Sequence, residues 1–144
     1  MIIEQILKDK GREVVTLKAG QSLRAAAQLL DERRIGAVVV VGEDDGIVGV
    51  LSERDIVRQV ARLGAEALDM EVGSAMTRAV VTVEAEEPIR SALQLMTDRR
   101  IRHLPVVRNA RLTGFVSIGD LVKWKIAETE AEAEAMKSYL SAQF

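Results

Sequence analysis

A short motif with the pattern Gly-x-x-Ser-x-x-Asp occurs twice in the chain, at residues 49–55 and 114–120. In both copies a β-branched run ends in the motif and a helical pattern follows, which places Ser52 and Ser117 where helices begin. A helix N-terminus with a free hydroxyl attracts phosphate. A carboxylate three residues later, Asp55 or Asp120, can accept hydrogen bonds from the two hydroxyls of a ribose. The residue types and their spacing therefore fit nucleotide binding.

The same spacing also fits a purely structural role. A Ser at the N-cap and an acidic residue three positions later form a capping box, which pairs backbone N–H groups that the helix leaves open. A single copy of the motif leaves both interpretations open. Two copies at matched positions of a repeated unit favour nucleotide binding.

The chain is an internal duplication. At an offset of 66 residues, the Val-Val-Thr of residues 14–16 matches residues 80–82, and the Arg-Arg-Ile of residues 33–35 matches residues 99–101. At an offset of 65 residues the two Gly-x-x-Ser-x-x-Asp motifs coincide. Similarity over most of the chain makes the repeat the first organising fact of the fold.

Each copy predicts the order β-α-β-β-α. The first helix has Ser22 as its N-cap in one copy and Pro88 as its first helical residue in the other. Gly64 is expected to end the helix that follows the first motif. The predicted strands cover residues 14–17, 37–41 and 47–51 in the first copy, and 80–83, 104–107 and 112–116 in the second.

We therefore predict an α/β fold in which two β-α-β-β-α repeats pack as a pseudo-symmetric pair, sheet against sheet, with an N-terminal helix and an extended C-terminal helix. One repeat of about 55 residues buries little surface alone, which is a physical reason for pairing. Residues 1–63 form the first predicted domain, residues 64–79 a linker, and residues 80–144 the second domain with its helical tail.

Composition argues against several classes of function. The net charge of −2 provides no positive field for nucleic acid or anionic lipid. The chain has no cysteine and one histidine, so neither thiolate catalysis nor a metal cofactor is expected, and no nucleophile–base pair indicates an enzyme. The N-terminus lacks a signal-peptide layout, and the longest apolar run, residues 37–41, is too short to span a membrane. A cytoplasmic protein is the resulting expectation.

The chain resembles the CBS-domain family, named for cystathionine β-synthase, over nearly its whole length. The resemblance lies in the Val-Val-Thr and Arg-Arg-Ile of each copy, in the run Arg-His-Leu-Pro-Val-Val at residues 102–107, and in both Gly-x-x-Ser-x-x-Asp motifs. It implies that Ser52 with Asp55, and Ser117 with Asp120, bind the phosphate and ribose of an adenine ligand. AMP, ADP and ATP are the expected ligands, with NAD(H) or S-adenosylmethionine as further possibilities.

The resemblance implies further ligand contacts. Basic residues that precede the proline bind phosphate in nucleotide-sensing members, which implies Arg102 and His103. The first copy has Gly36-Ala37-Val38 at these positions and lacks the proline, so phosphate binding is expected chiefly in the second copy. Arg54 either reaches a phosphate or is a solvated first-turn residue, and the residues before each first strand either line the adenine pocket or are ordinary linker. The candidate ligand-binding residues are Lys10, Gly36, Ala37, Val38, Ser52, Arg54, Asp55, Met76, Thr77, Arg78, Ile101, Arg102, His103, Leu104, Pro105, Ser117, Ile118 and Asp120.

The resemblance implies a regulatory module and no catalysis. We predict an adenine-nucleotide-binding sensor of energy or redox state that signals through an unidentified effector protein by ligand-dependent closure of the cleft between the repeats. A homodimer formed through helices is expected, with Trp124, Ile126 and the helix from Leu121 onward as a candidate partner surface. The alternative for Trp124 is that it covers the core edge of its own domain. The alternative is a ligand-free dimerisation or interaction module whose Ser-x-x-Asp motifs are only helix caps.

Overall fold

The computed structural model describes residues 1–143 and contains the two predicted α/β repeats. The elements are α1 (Ile3–Lys10), β1 (Thr16–Lys18), α2 (Leu23–Arg33), β2 (Ala37–Val41), β3 (Ile47–Ser52), α3 (Glu53–Leu63), a 3-10 helix (Gly64–Asp69), α4 (Val72–Ala75), α5 (Ile89–Arg99), β4 (His103–Arg108), β5 (Arg111–Ser117) and α6 (Ile118–Gln143). Within residues 1–143 no helix is both long enough and apolar enough to cross a membrane.

The first compact unit, called the first-repeat unit below, comprises Glu13–Val81 together with Asn109–Leu112. Its sheet has the order β1-β2-β3, with β1 parallel and β3 antiparallel to β2. All five residues of β2 are buried, as expected for a central strand covered on both faces. The segment predicted as a linker, residues 64–79, contains the 3-10 helix and α4, and its Val72, Ala75 and Met76 join the core of this unit.

Local signals at the helix ends agree with the sequence in this unit. The Ser22 hydroxyl accepts a hydrogen bond from the backbone N–H of Ala25 at 3.1 Å, which caps α2 as predicted. Gly64 ends α3 with a φ of +67°, a left-handed value that glycine adopts without a steric penalty.

The second compact unit, called the second-repeat unit below, comprises Met1–Arg12, Thr82–Arg108 and residues 113–143. β4 and β5 form a two-stranded sheet as predicted, with positive φ at Asn109 and Ala110 in the turn between them. The predicted strand at residues 80–83 is wrong: Val83 alone pairs with Val106, because the Val80 N–H bonds back to Arg78 in a turn. Pro88 precedes the first helical residue of α5 rather than occupying it.

The amphipathic helix α1 belongs to the core of the second-repeat unit. Ile3, Ile6 and Leu7 lie on one face and are at most 1% exposed. The N–H groups of Ile3 and Glu4, which no helical carbonyl can pair, donate to the carbonyls of Glu87 and Ala85 at 2.9 and 2.8 Å. The helix that precedes the first repeat is therefore in the unit of the second, and α4, which precedes the second repeat, is in the unit of the first. The domain boundaries predicted from the sequence stay a prediction.

α6 extends well beyond the second repeat. Its 26 residues give a helix about 39 Å long at 1.5 Å per residue. Leu121 is fully buried and Trp124 is half-buried, whereas every side chain from residue 129 to residue 143 is exposed. The exposed helical tail predicted for residues 128–134 is confirmed.

Candidate functional site

Ser117 and Asp120 form a reciprocal pair at the start of α6. β5 ends at Ser117 and α6 begins with the next residue. The backbone N–H of Ser117 donates to Asp120 Oδ2 at 2.8 Å, and the backbone N–H of Asp120 donates to the Ser117 hydroxyl at 3.2 Å. The motif is thus a complete capping box that holds a hydroxyl and a carboxylate together at a helix N-terminus.

Lys10 brings a cation to this carboxylate from the end of α1. Its ammonium donates to Asp120 Oδ2 at 2.7 Å and to the Phe115 carbonyl at 3.0 Å. Burial alone would raise the pKa of Asp120, but hydrogen bonds from Lys10 and Ser117 and the charge of Lys10 outweigh it and hold that pKa below its ordinary value. Asp120 is therefore ionised at neutral pH and accepts hydrogen bonds.

His103 and Arg102 lie beside the Lys10–Asp120 pair. The His103 ring packs against Phe115 with centroids 5.6 Å apart and is half-buried. Burial lowers the pKa of His103, and the cations Lys10 and Arg102 lower it further against the opposing charge of Asp120. His103 is thus a neutral imidazole at pH 7, with one donor and one acceptor nitrogen, while Arg102 is exposed and cationic.

The remaining candidates of the second repeat contribute mainly backbone. The Ile118 N–H donates to the Arg102 carbonyl at 2.8 Å, and the Ile101 N–H donates to the Met96 carbonyl at 3.0 Å. The side chains of Leu104 and Pro105 are buried. The structure therefore brings the side chains of Lys10, His103, Ser117 and Asp120 together. Ile101 and Ile118 contribute backbone hydrogen bonds, and Leu104 and Pro105 contribute buried side chains.

The matching motif of the first repeat has different surroundings. Asp55 Oδ2 accepts from the Ser52 N–H at 2.9 Å and from the Ser52 hydroxyl at 3.2 Å. The Asp55 N–H donates to the Ser52 hydroxyl at 3.3 Å, and Arg58 donates to Asp55 Oδ1 at 3.4 Å. Asp55 is only 6% exposed, and Met76 stands at the position that matches Lys10. This carboxylate is engaged inside its own unit.

The other first-repeat candidates are divided between core and surface. Ala37 and Val38 have buried side chains, the Gly36 carbonyl accepts the Glu53 N–H at 3.0 Å, and Arg54 is exposed. Thr77 pairs with Val50 through two backbone hydrogen bonds of 2.9 and 3.0 Å.

Next to this pairing, Met76 is buried and Arg78 donates to the Gly73 carbonyl at 3.0 Å. A Cβ on Gly49 would lie 2.5 Å from Met76 Sδ, so the glycine of the motif admits this close approach.

Two contributors went unrecognised in the sequence. Phe115 supplies a carbonyl to Lys10 and a ring to His103, and the signal was its position two residues before Ser117 on the same strand face. Arg58 supplies the cation to Asp55, and the signal was its i,i+3 spacing on a helix. No group of three or more potential metal ligands occurs among residues 1–143.

Comparisons with known proteins agree with the internal duplication of the chain. Residues 6–62 and 72–127 each match the CBS domain. The chain is 32% identical over 146 residues to the CBS domain-containing protein CBSX3, mitochondrial, of Arabidopsis thaliana, a match that covers 96% of this chain and 71% of that protein.

Solved structures show the same similarity. The CBS-domain-containing protein ATU1752 of Agrobacterium tumefaciens superposes with a TM-score of 0.83 at 42% identity, over 85% of this chain and 91% of that one. The CBS domain pair of protein MJ0100, solved in complex with 5′-methylthioadenosine and S-adenosyl-L-methionine, superposes with a TM-score of 0.77 at 25% identity, over 86% and 98% of the two chains.

Proposed function

Because the chain belongs to the CBS-domain family, we propose that it is an adenine-nucleotide-binding regulatory module that signals through a partner protein. The observation that carries the proposal is the group formed by Lys10, His103, Ser117 and Asp120 at the start of α6. It combines an ionised carboxylate, an ammonium, a neutral imidazole and a helix N-terminus within one unit. These are the groups that a ribose phosphate needs.

Each residue has a distinct role in the proposed site. The bonds from Lys10 and from the Ser117 N–H both use Asp120 Oδ2, which leaves Oδ1 for the ribose hydroxyls. Lys10 and Arg102 attract the phosphate, and His103 adds one neutral hydrogen bond. No metal is required for this recognition.

The two repeats play unequal parts in the proposal. Asp55 is buried and already bonded to Ser52 and Arg58, and its unit has Met76 where the other has Lys10. The second repeat is therefore the principal ligand site, and the first-repeat motif mainly stabilises α3. Cleft closure between the repeats, the mechanism expected from the sequence, stays a prediction.

An adenosine ligand is supported by the similarity to the MJ0100 domain pair, whose structure was solved with 5′-methylthioadenosine and S-adenosyl-L-methionine. AMP, ADP, ATP, NAD and NADH share the adenosine group and complete the set to be tested. The preferred ligand decides whether the module reports energy, redox state or methyl-donor supply.

The test is thermal unfolding with each of these ligands at millimolar concentration, on wild type and on the matched variants Asp120→Ala and Asp55→Ala. A ligand at 100 times its dissociation constant stabilises by about 2.7 kcal/mol, which raises the midpoint by roughly 5–15 °C at this size. We expect a shift that Asp120→Ala abolishes and Asp55→Ala retains. No shift with any ligand, or an equal shift in Asp120→Ala, would contradict the proposal.

A second candidate function rests on a specific observation. Both Ser-x-x-Asp motifs are complete capping boxes, which is a sufficient reason for their residues without a ligand. The chain is then a ligand-free module that dimerises or binds an effector. In that case Asp120→Ala lowers the free energy of unfolding by about 1 kcal/mol and no adenine ligand changes the midpoint. Either function is compatible with a homodimer, which we include in the proposal.

A further inference from the structure

One face of α6 carries a regular series of residues that are apolar except for Thr129. The intervals between successive residues alternate between four and three positions, which is the a and d spacing of a coiled-coil heptad. We call this series the α6 seam; its members are Val122, Ile126, Thr129, Ala133, Met136 and Leu140.

The α6 seam faces away from the core of its own unit. The four large apolar residues of the seam are 41–59% exposed. Leu121 and Trp124, which are buried and half-buried against the unit, occupy the c and f positions on the opposite side. Two further exposed apolar residues, Ile118 and Tyr139, fall at g positions beside the seam. The large exposed apolar side chains of α6 are thus confined to the side that a coiled-coil partner would cover.

The tail of α6 lacks the contacts that stabilise a helix. Residues 129–143 are exposed, and an isolated helix of about 15 residues is marginal in water. Glu128 and Glu132, and likewise Glu130 and Glu134, repel one another at i,i+4 spacing. A partner along the seam supplies the missing stabilisation.

The charges that flank the seam select a parallel pair of identical helices. Lys125 and Glu132 are at g positions, and Glu130 and Lys137 are at e positions. In a parallel, in-register pair, Lys125 meets Glu130 of the second copy, and Glu132 meets Lys137 of the second copy. Each opposite-charge pair then occurs twice by symmetry.

An antiparallel pair with the same apolar overlap is disfavoured. It places Lys123 opposite Lys137 of the second copy, and sets Glu130 and Glu132 each opposite its own counterpart. Like charges at these positions repel. Shifting the antiparallel register by one heptad removes the repulsion in either direction but loses apolar overlap. One shift leaves Leu140 opposite residue 115, which lies before the helix, and the other leaves Ile126 opposite the polar Gln143.

We propose that the α6 seam binds the same seam of a second copy of this chain as a parallel, in-register, two-stranded coiled coil. The inference rests on the homodimer included in the proposed function and names its surface. Thr129 and Ala133 bury little area at the centre of a seam of fewer than three heptads, so we expect weak, concentration-dependent association.

Sedimentation velocity at about 5 to 200 µM tests the association, because this concentration range brackets Kd values that correspond to roughly −5 to −7 kcal/mol. Wild type is expected to approach twice its 15.8 kDa mass at the highest concentration. Met136→Glu with Leu140→Glu is expected to remain monomeric. Ala131→Glu with Ser138→Glu adds the same charge at f positions and is expected to dimerise like wild type. A monomeric wild type, which would leave the seam to another occupant, or a seam variant that dimerises normally would overturn the proposal.

Orientation is tested with single cysteines, because the chain has none of its own. Ile126→Cys places two thiols at facing a positions of a parallel pair, close enough for a disulfide, whereas the antiparallel pair places them about 15 Å apart along the axis. Ala131→Cys places the thiols on the outer f face and serves as the control. With oxidised glutathione as the oxidant, we expect Ile126→Cys dimers to form much faster than Ala131→Cys dimers. Equal rates would reject the parallel register.

These outcomes are separable from those of the nucleotide test. The seam variants lie outside the Lys10–Asp120 group, so they are expected to keep any ligand-induced shift of the unfolding midpoint. A monomeric wild type with a normal ligand shift contradicts only the coiled coil, and a dimeric wild type with no ligand shift contradicts only the nucleotide site.

Discussion

Lys10 Nζ lies 2.7 Å from Asp120 Oδ2, although the two residues are 110 positions apart in the chain. The contact joins the C-terminal end of α1 to the capping box of α6. In the first repeat the matching carboxylate, Asp55, is instead 3.4 Å from Arg58 on its own helix. Two motifs with the same spacing thus have different electrostatic surroundings: the cation at Asp120 comes from α1, and the cation at Asp55 comes from its own helix.

Replacing Lys10 by Met, the residue at the matched position of the first repeat, removes the cation that faces Asp120. We expect the free energy of unfolding at pH 7 to fall by up to about 1 kcal/mol, since the pair is partly exposed. Because the folded pKa of Asp120 is depressed, its contribution is present above the ordinary value of 3.8 and is lost as the pH falls through the folded pKa. The cost of Lys10→Met should therefore shrink in acid.

Urea unfolding of wild type and Lys10→Met between pH 2.5 and about 7 measures this dependence, a range that spans the carboxyl pKa values. Lys8→Met removes the same charge from the same helix at an exposed position and serves as the control. A cost for Lys10→Met that does not vary with pH, or that Lys8→Met reproduces, would show that the ion pair is not its origin.

The pKa of His103 is expected to lie below 6.5, because burial disfavours the imidazolium and Lys10 and Arg102 oppose it. His103 is the only histidine, so a single set of imidazole resonances in an NMR titration reports it. Lys10→Met should raise this pKa, because it removes one of the opposing cations. A titration midpoint at or above 6.5 in the wild type would contradict the burial.

The same shift predicts how stability depends on pH near neutrality. Since the unfolded chain binds the proton more readily than the folded one, the stability due to neutral His103 is complete above about pH 6.5 and declines as the pH falls below it. His103→Gln removes the titrating group and should flatten the pH dependence of the free energy of unfolding between pH 5 and about 7. If the pH dependence of the free energy of unfolding stayed unchanged, groups other than His103 would be its cause.

The glycines that open the two motifs are expected to differ in their tolerance of a methyl group. A Cβ on Gly49 would lie 2.5 Å from Met76 Sδ and 2.9 Å from the Thr77 carbonyl, which is backbone. A Cβ on Gly114 would meet only the end of the Leu7 side chain, at 2.6 Å. Gly49→Ala should therefore cost about 1–3 kcal/mol by overpacking, and Gly114→Ala less. Urea unfolding of both variants measures the two losses of stability. A larger loss for Gly114→Ala than for Gly49→Ala would contradict the prediction.

The features that could be predicted from the sequence are those set by neighbours along the chain. Ser52 with Asp55 and Ser117 with Asp120 are three residues apart, so a capping box follows from spacing alone. The hairpins, the caps at Ser22 and Gly64 and the exposed tail of α6 are local in the same sense. The resemblance of the chain to CBS domains added Lys10 and His103 as candidates.

The features that could not be predicted depend on contacts between distant segments. Nothing near Ile6 or Val72 in the sequence indicates that the helix before each repeat packs in the unit of the other. The segment at residues 64–78 has little periodicity, and its short helices are stabilised by burial of Val72 and Met76 rather than by propensity. The ion pair of Lys10 with Asp120 follows from this packing and was not visible beforehand.

The placement of α1 and α4 can be tested with a matched pair of core substitutions. Ile6 and Val72 correspond at the repeat offset of 66, and both are fully buried. Ile6→Ala should destabilise the second-repeat unit by about 2–5 kcal/mol and Val72→Ala the first-repeat unit by about 2 kcal/mol, through lost burial and residual cavities.

Native-state hydrogen exchange locates each effect, because it reports local opening free energies along the chain. Ile6→Ala should lower the protection of amides in α5 and β5 more than in α2 and β2, and Val72→Ala should do the reverse. If Ile6→Ala instead weakened α2 and β2 first, α1 would belong to the repeat that it precedes in sequence, and Lys10 would not be available to Asp120.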